Sequence, residues 1–236
     1  MAHKLFITGA TGYIGGTVLT SLLQYPNKYS ISALVRSKAQ ADVLEKNGVT
    51  PVLGSLQDLD VLTKAASEAH IVINTADADN LPAVQALVKG LKLRNDTTAV
   101  FLHTSGTGLL TFSNGKIDTP FDDADIERIH SIPPHALHKD VDSWIYENTE
   151  DLTAAIIAPS TINGLGTGLF KKTSQQVINL TRAAVARGKA GWAGDRVDAI
   201  WNNVNVNDLA DLYILIVEGL VAGTADHGKK GGGERA

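Results

Sequence analysis

The chain of 236 residues contains no cysteine. Disulfides, thiolate nucleophiles and cysteine-ligated zinc are thereby excluded, and no metal is expected. Long hydrophobic runs are missing as well. The longest apolar stretch, Leu209 to Ala222, is interrupted by Asp211 and Glu218 and is too short to span a bilayer. Residues 1–20 show no basic segment followed by an apolar core, so no secretory signal is read and a cytoplasmic location is expected. An excess of basic charge is also lacking: 21 Lys and Arg stand against 25 Asp and Glu. Broad nonspecific binding to nucleic acid is therefore not expected. What is present is an ordinary globular composition, 44% hydrophobic and 19% charged, long enough to bury a sizeable core.

The first informative stretch is Lys4-Leu5-Phe6-Ile7-Thr8-Gly9-Ala10-Thr11-Gly12-Tyr13-Ile14-Gly15-Gly16. An apolar strand runs into Gly-x-x-Gly-x-x-Gly, and a helical pattern of Val18, Leu19, Leu22 and Leu23 follows. Gly9 suits a tight turn, Gly12 lets backbone approach a pyrophosphate, and Gly15 lets helix and strand pack closely. The helix N-terminus offers free N–H groups and a positive dipole end to phosphate. Gly9, Thr11, Gly12, Tyr13, Ile14 and Gly15 are thus candidate dinucleotide-binding residues.

Downstream, strand-like and helix-like segments alternate. Strands are read at Leu5–Thr8, Ile31–Val35, Val49–Leu53, Ile71–Asn74 and Ala99–His103, with helices at Tyr13–Gln24, Ala39–Asn47, Asp58–Ala69 and Leu81–Leu93. This period implies an α/β fold of Rossmann type, a doubly wound parallel sheet with helices on both faces. Residues 106–134 read as a long loop with at most a short helix near Ala124–His130. A helix over His135–Glu147, a strand over Leu152–Ala158, a flexible loop through Gly164, Gly166 and Gly168, and helices over Gln175–Arg187 and Asp208–Val221 follow, the last capped by Asn207. Residues 1–225 are read as one domain, with a small, shortened substrate region from about residue 160. Residues 226–236 are read as a flexible tail.

The strand ends supply the candidate chemistry. Val35-Arg36-Ser37-Lys38 places no carboxylate where NAD-preferring sites hold the ribose hydroxyl. Arg36 can pair with a 2′-phosphate, with Ser37 and Lys38 as further donors, which favours NADP(H) over NAD(H); the alternative is a solvated basic turn. Ser55 and Leu56 would lie beside the adenine, and Thr75, Ala76 and Asp77 beside the ribose and nicotinamide, unless both are plain strand-end loops. Thr104 and Ser105 close the fifth strand, where the nicotinamide should lie; Thr104 is a candidate cofactor contact, and a hydroxyl there could polarise a substrate carbonyl or merely satisfy its own backbone. His135 and Lys139 are spaced to share a helix face. The lysine could hold the nicotinamide ribose and the histidine could give a proton near neutral pH. His138 and Asp142 form a second such pair, read as a surface contact.

Residues 4–16, Arg36, Thr104-Ser105 and the segment from Trp201 to Ala210 (Trp-Asn-Asn-Val-Asn-Val-Asn-Asp-Leu-Ala) together resemble the short-chain dehydrogenase/reductase superfamily. The resemblance is to its extended or atypical NmrA-like branch and covers most of residues 4–222. It implies NAD(P) binding, Ser105 as the catalytic serine and Lys139 as the catalytic lysine. The family's Tyr-x-x-x-Lys is missing: His135 stands at the tyrosine position, and no such motif occurs anywhere in the chain.

The leading expectation is an NADP(H)-dependent oxidoreductase acting on a small or medium carbonyl, enone or imine compound, with Ser105, His135 and Lys139 as its catalytic residues. NAD(H) is the alternative cofactor, a small molecule the expected partner, and a homodimer the expected assembly. Two other readings stay open: an NADP(H)-binding redox sensor without turnover, and a non-redox isomerase or cyclase using His135 or Asp77.

Overall fold

The computed structural model describes residues 2–94, 98–113, 120–191 and 201–224. Six strands form one sheet: β1 (His3–Thr8), β2 (Tyr29–Val35), β3 (Thr50–Leu53), β4 (Ile71–Asn74), β5 (Val100–Thr104) and β6 (Thr153–Ile157). Their order is β3-β2-β1-β4-β5-β6, and every pairing is parallel. Strand order therefore reverses between β1 and β4, and ligands of such sheets bind outside the strand C-termini at that reversal.

Side chains of successive strand residues alternate between the faces, and both faces are covered, as a parallel sheet requires. Leu5, Ile7, Ile31, Ile73 and Leu102 pack on one side with α1 (Tyr13–Leu22), α2 (Lys38–Lys46) and α8 (Val206–Ala222). Phe6, Val72 and Phe101 pack on the other with α3 (Leu59–Ser67), α4 (Leu81–Lys92) and α6 (Lys139–Asn148). Gly90 lets α4 ride directly on α3, since a Cβ there would stand 2.3 Å from the Thr63 carbonyl oxygen. The Asn80 side chain caps α4 by accepting from the Ala83 N–H, and Pro82 sits in the first turn, where its missing N–H costs nothing.

Beyond β5 the structure departs from the expectations in part. The long loop contains the short helix expected there, α5 (Ile126–His130), and also a 3-10 helix over Thr107–Ser113 that was not expected. Leu109, Ile132 and Ala136 form a small core of their own there. The helix expected from His135 starts at Lys139. The Pro133 carbonyl accepts from the Ala136 N–H, closing a turn, and His138 adopts a left-handed backbone (φ 67°) as the N-cap of α6. Helix α8 is capped by Asn205 rather than Asn207, its side chain accepting from the Asn207 N–H.

Two short strands not read in the sequence, β7 (Thr161–Asn163) and β8 (Asn203–Asn205), pair in parallel. The helix over Gln175–Arg187 forms as expected, as α7. Residues 164–168, expected to be a flexible loop, are packed on α1. The Tyr13 hydroxyl donates to the Gly164 carbonyl at 2.7 Å. A Cβ on Gly166 would stand 2.7 Å from Thr17 Oγ1, and one on Gly168 2.9 Å from the Gly16 carbonyl carbon. The tail expected at 226–236 lies outside the described residues.

Candidate functional site

The loop from β1 to α1 has the geometry its glycines imply. Gly9 is left-handed (φ +78°), and its carbonyl accepts from the Gly12 N–H at 2.8 Å. A Cβ on Gly15 would stand 2.1 Å from Thr75 Oγ1 and 2.5 Å from the Gly9 carbonyl oxygen. Helix α1 follows Gly12 as its N-cap, with no side-chain cap and no acidic residue in its first turn. Its first N–H groups thus have no side chain to satisfy them, the setting in which a helix N-terminus takes a phosphate. The residues present fit a dinucleotide pyrophosphate. Thr11, Tyr13 and Ile14 are half-buried around this start. Tyr13 spends its hydroxyl on Gly164, tying the later loop to the site.

At the end of β2 the three basic-turn residues separate in role. The Ser37 hydroxyl caps α2 by accepting from the Gln40 N–H, and Lys38 pairs with Asp42 one helical turn on. Arg36 is exposed, and among the described residues its guanidinium has no hydrogen-bond or ion-pair partner. At the end of β3, the Ser55 N–H and hydroxyl both donate to Asp58 Oδ2, at 2.7 and 2.8 Å. These bonds hold the Asp58 carboxyl below its usual range and keep it from capping α3. Leu56 packs against the core beneath α3 and α4.

At the end of β4, the Thr75 hydroxyl donates to the Thr8 carbonyl at 2.7 Å and fills the space beside Gly9 and Gly15. Thr75 therefore shapes the floor of the loop. Ala76 and Asp77 are exposed, and Asp77 accepts from the Asp79 N–H at 3.0 Å. Beneath them a polar row crosses three strands in register. Thr8 donates to Asn74, and the Asn74 amide meets His103 Nδ1 at 3.0 Å. Burial pushes His103 down to about 4, against the opposing pull of the Ala78 backbone, so this imidazole is neutral at ordinary pH.

Alternation along β5 sends Thr104 to one face and His103 and Ser105 to the other. The Thr104 hydroxyl, expected as a cofactor contact, is instead engaged by the buried Tyr213 of α8 at 2.5 Å and faces the core. Ser105 Oγ donates to Asp142 Oδ2 at 2.7 Å. Asp142, expected on the surface, is buried, with Oδ1 unpartnered among the described residues. Burial pushes its carboxyl up to about 6, while the Ser105 hydrogen bond and the nearby His138 and Lys139 pull the other way. Lys139 is buried at the start of α6, and its ammonium donates to the Ile129 carbonyl at 3.2 Å. Burial lowers its pKa, and Asp142 opposes that shift.

The pairing of His135 with Lys139 on one helix face is not found. His135 lies before α6 and is exposed. His138 instead turns into the site, its Nδ1 2.6 Å from Asp79 Oδ1. His138, Asp79, Asp142 and His103 are the site residues that sequence reasoning missed. The acidic first turn of α6, Asp140 and Asp142, was the available signal for a helix beginning at Lys139.

The strand order, the glycine loop and the uncapped helix behind it define a NAD(P)-binding protein of Rossmann architecture. Residues 1–92 match the NmrA-like family model. The oxidase ucsJ of Acremonium sp is 32% identical over 232 residues, covering 92% of this chain and 66% of that protein. The chain thus spans slightly less than two thirds of that relative's length. Among solved structures, the anaerobillin reductase ChuY of Escherichia coli O157:H7 superposes with a TM-score of 0.59 at 16% identity, over 91% of this chain and 90% of that one. The Bordetella bronchiseptica enzyme WbmH, solved in complex with NAD+, gives 0.61 at 17% identity, over 93% and 73%. The chain is thus similar to NmrA-like proteins over residues 1–92 and shares its fold with enzymes of the reductase and epimerase kind. No described helix is long and apolar enough to cross a membrane.

Proposed function

We propose that the protein is an NADP(H)-dependent oxidoreductase acting on a small or medium carbonyl, enone or imine compound. The observation that supports this most is a juxtaposition at the C-terminal edge of the sheet. A glycine loop and bare helix N-terminus, suited to a pyrophosphate, lie at the end of β1, and Ser105, bonded to Asp142 in the first turn of α6, lies two strands away at the end of β5. The relatives called an oxidase, a dehydrogenase and a ketoreductase belong to the same chemistry class.

In this reading Gly9, Gly12 and Gly15 carry the pyrophosphate, and Arg36, exposed at the end of β2, takes the 2′-phosphate. Ser37 and Lys38 already serve α2, so the preference for NADP(H) over NAD(H) rests on Arg36 alone. The bound dinucleotide supplies or accepts the hydride. Ser105 hydrogen-bonds the substrate oxygen, and Lys139 holds the nicotinamide ribose. His135 is exposed ahead of α6, so the proton is better sought at another imidazole.

Ser105→Ala and Lys139→Ala test the assignment. Turnover is expected to fall in both while NADPH binding survives in Ser105→Ala. Unchanged turnover in both would remove the catalytic roles. A second reading, an NADP(H) sensor of the NmrA-like type, is favoured by the lack of a Tyr-x-x-x-Lys motif. Cofactor-dependent partner binding with no hydride transfer to any carbonyl compound would support it instead.

A further inference from the structure

We propose that His138, held by Asp79, is the acid–base residue of the site and exchanges a proton with the substrate oxygen beside Ser105. The proposal rests on the oxidoreductase reading and supplies the group that the absent tyrosine leaves missing.

Three independent features place the imidazole. The backbone is the first. His138 is the one non-glycine residue with positive φ among the described residues (φ 67°). A left-handed histidine is strained and persists only where its surroundings impose it; such strain clusters at functional sites.

The second is the partner. His138 Nδ1 lies 2.6 Å from Asp79 Oδ1, which binds the start of α6 to the loop after β4. Asp79 is itself fixed, its N–H donating to Asp77 and its carbonyl accepting from the Leu81 N–H. A carboxylate on Nδ1 sets the tautomer and ring orientation of an imidazole whose Nε2 does chemistry.

The third is the bed on which the ring lies. A Cβ on Gly106 would stand 3.1 Å from His138 Nε2, and one on Gly108 3.4 Å. Nε2 therefore sits over the two glycines that follow Ser105, and a side chain at Gly106 would crowd it. An incidental ion pair at the surface needs neither a strained backbone nor a glycine bed. The side chain is 20% exposed, enough to exchange protons with solvent.

In the reductive direction His138 gives its Nε2 proton to the oxygen of a carbonyl whose carbon takes hydride from the reduced dinucleotide. The C=O becomes CH–OH, the imidazole is left neutral with its Nδ1–H on Asp79, and solvent restores the proton. In the oxidative direction each transfer reverses.

The test that needs no known substrate is acylation of histidines by diethyl pyrocarbonate in the full chain, mapped by mass spectrometry. It is run free, with saturating NADP+, and with 2′-phospho-ADP-ribose, which lacks the nicotinamide. The expected result is slowing of His138 by about tenfold or more with NADP+ and by much less with the truncated nucleotide, while exposed His135 reacts alike in all three. An unchanged His138 rate in the NADP+ complex overturns the proposal and leaves the oxidoreductase reading intact. Failure of NADP+ to bind at all, read by calorimetry, overturns both.

A second arm separates chemistry from structure. With 9,10-phenanthrenequinone as carbonyl probe, His138→Ala is expected to lose about 100-fold in kcat with NADPH affinity unchanged. Added imidazole should restore part of that loss in His138→Ala and none in Ser105→Ala. Undiminished turnover in His138→Ala contradicts the proposal.

Discussion

Ser105 Oγ donates to Asp142 Oδ2 at 2.7 Å, joining the end of β5 to the first turn of α6. A hydroxyl has one proton to give. While Asp142 is charged it claims that proton, and Ser105 offers a substrate only its lone pairs, which suits an alcohol. Once Asp142 is protonated, it can donate to Ser105, and the hydroxyl is free to donate to a carbonyl. On the proposed oxidoreductase reading, the protonation state of this buried carboxyl would set which direction of the reaction Ser105 favours.

The first prediction is a pH profile. Asp142 is pushed up to about 6 by burial, with Ser105, His138 and Lys139 opposing and Asp79 reinforcing. Reductive kcat/KM should fall as pH rises through about 6, and oxidative kcat/KM should rise. Asp142→Asn should flatten that limb of both profiles. Profiles unaltered by the substitution would show that this carboxyl does not govern Ser105.

The same group carries a stability cost. A carboxyl whose folded pKa lies above its unfolded value stabilises the fold fully below the unfolded pKa, and that contribution is lost as pH rises through the folded one. The window runs here from about 4 to about 6. Above it, Asp142→Asn should be more stable than the parent by on the order of 2 kcal/mol, with the gap closing toward pH 4. Urea melts of both chains at pH 4 and 7.5 measure it. A gap independent of pH would assign the effect to packing.

His103 works in the opposite sense. Its folded pKa, about 4, lies below the usual histidine value, so neutral His103 supports the fold above about 6.5 and that support is lost as pH falls toward 4. His103→Gln should be less sensitive to acid over that window than the parent, as thermal melts between pH 4 and 7 would show. Equal acid sensitivity would contradict a buried neutral imidazole.

The glycine loop makes a contrast of two alanines. Gly15→Ala brings a Cβ to 2.1 Å from Thr75 Oγ1 and 2.5 Å from the Gly9 carbonyl, so strand and helix must separate. A cost of about 3 kcal/mol and loss of NADPH binding are expected. Gly48, outside that loop, is left-handed (φ +77°), but nothing lies within 4 Å of its added Cβ. Gly48→Ala should cost only the backbone strain, about 1–2 kcal/mol, and leave NADPH binding unchanged. Similar losses of binding in both would show that the Gly15 contact is not what matters.

Much of this was legible in the sequence because short-range patterns dictated it. The apolar run of β1, the spacing of Gly9, Gly12 and Gly15, and the alternation through β5 led directly to the observed strand positions and doubly wound sheet. Pro82, in the first turn of α4, marked that helix's start for the same local reason. The candidate site beyond β5 was less legible because long-range packing decided it. Pro133-Pro134 suggested a helix starting at His135, but the chain closes a turn there and His138 takes a left-handed cap. The face that α6 presents is set by that cap, which brings Asp142 beneath Ser105 and turns His138 toward Asp79, 59 residues earlier. The pairing of β7 with β8 joins segments 40 residues apart, and three-residue strands carry almost no periodic signal.

On the proposed reading this chain uses NADP(H), with Arg36 reading the 2′-phosphate. The direct measurement is a calorimetric titration of the full chain with NADPH and with NADH, alongside Arg36→Ala. The expected result is tight NADPH binding, weaker NADH binding, and a fall of NADPH affinity toward the NADH value in Arg36→Ala, a loss of about 10-fold or more for one charge-assisted contact. Binding of neither nucleotide, or NADPH affinity indifferent to Arg36, would contradict it.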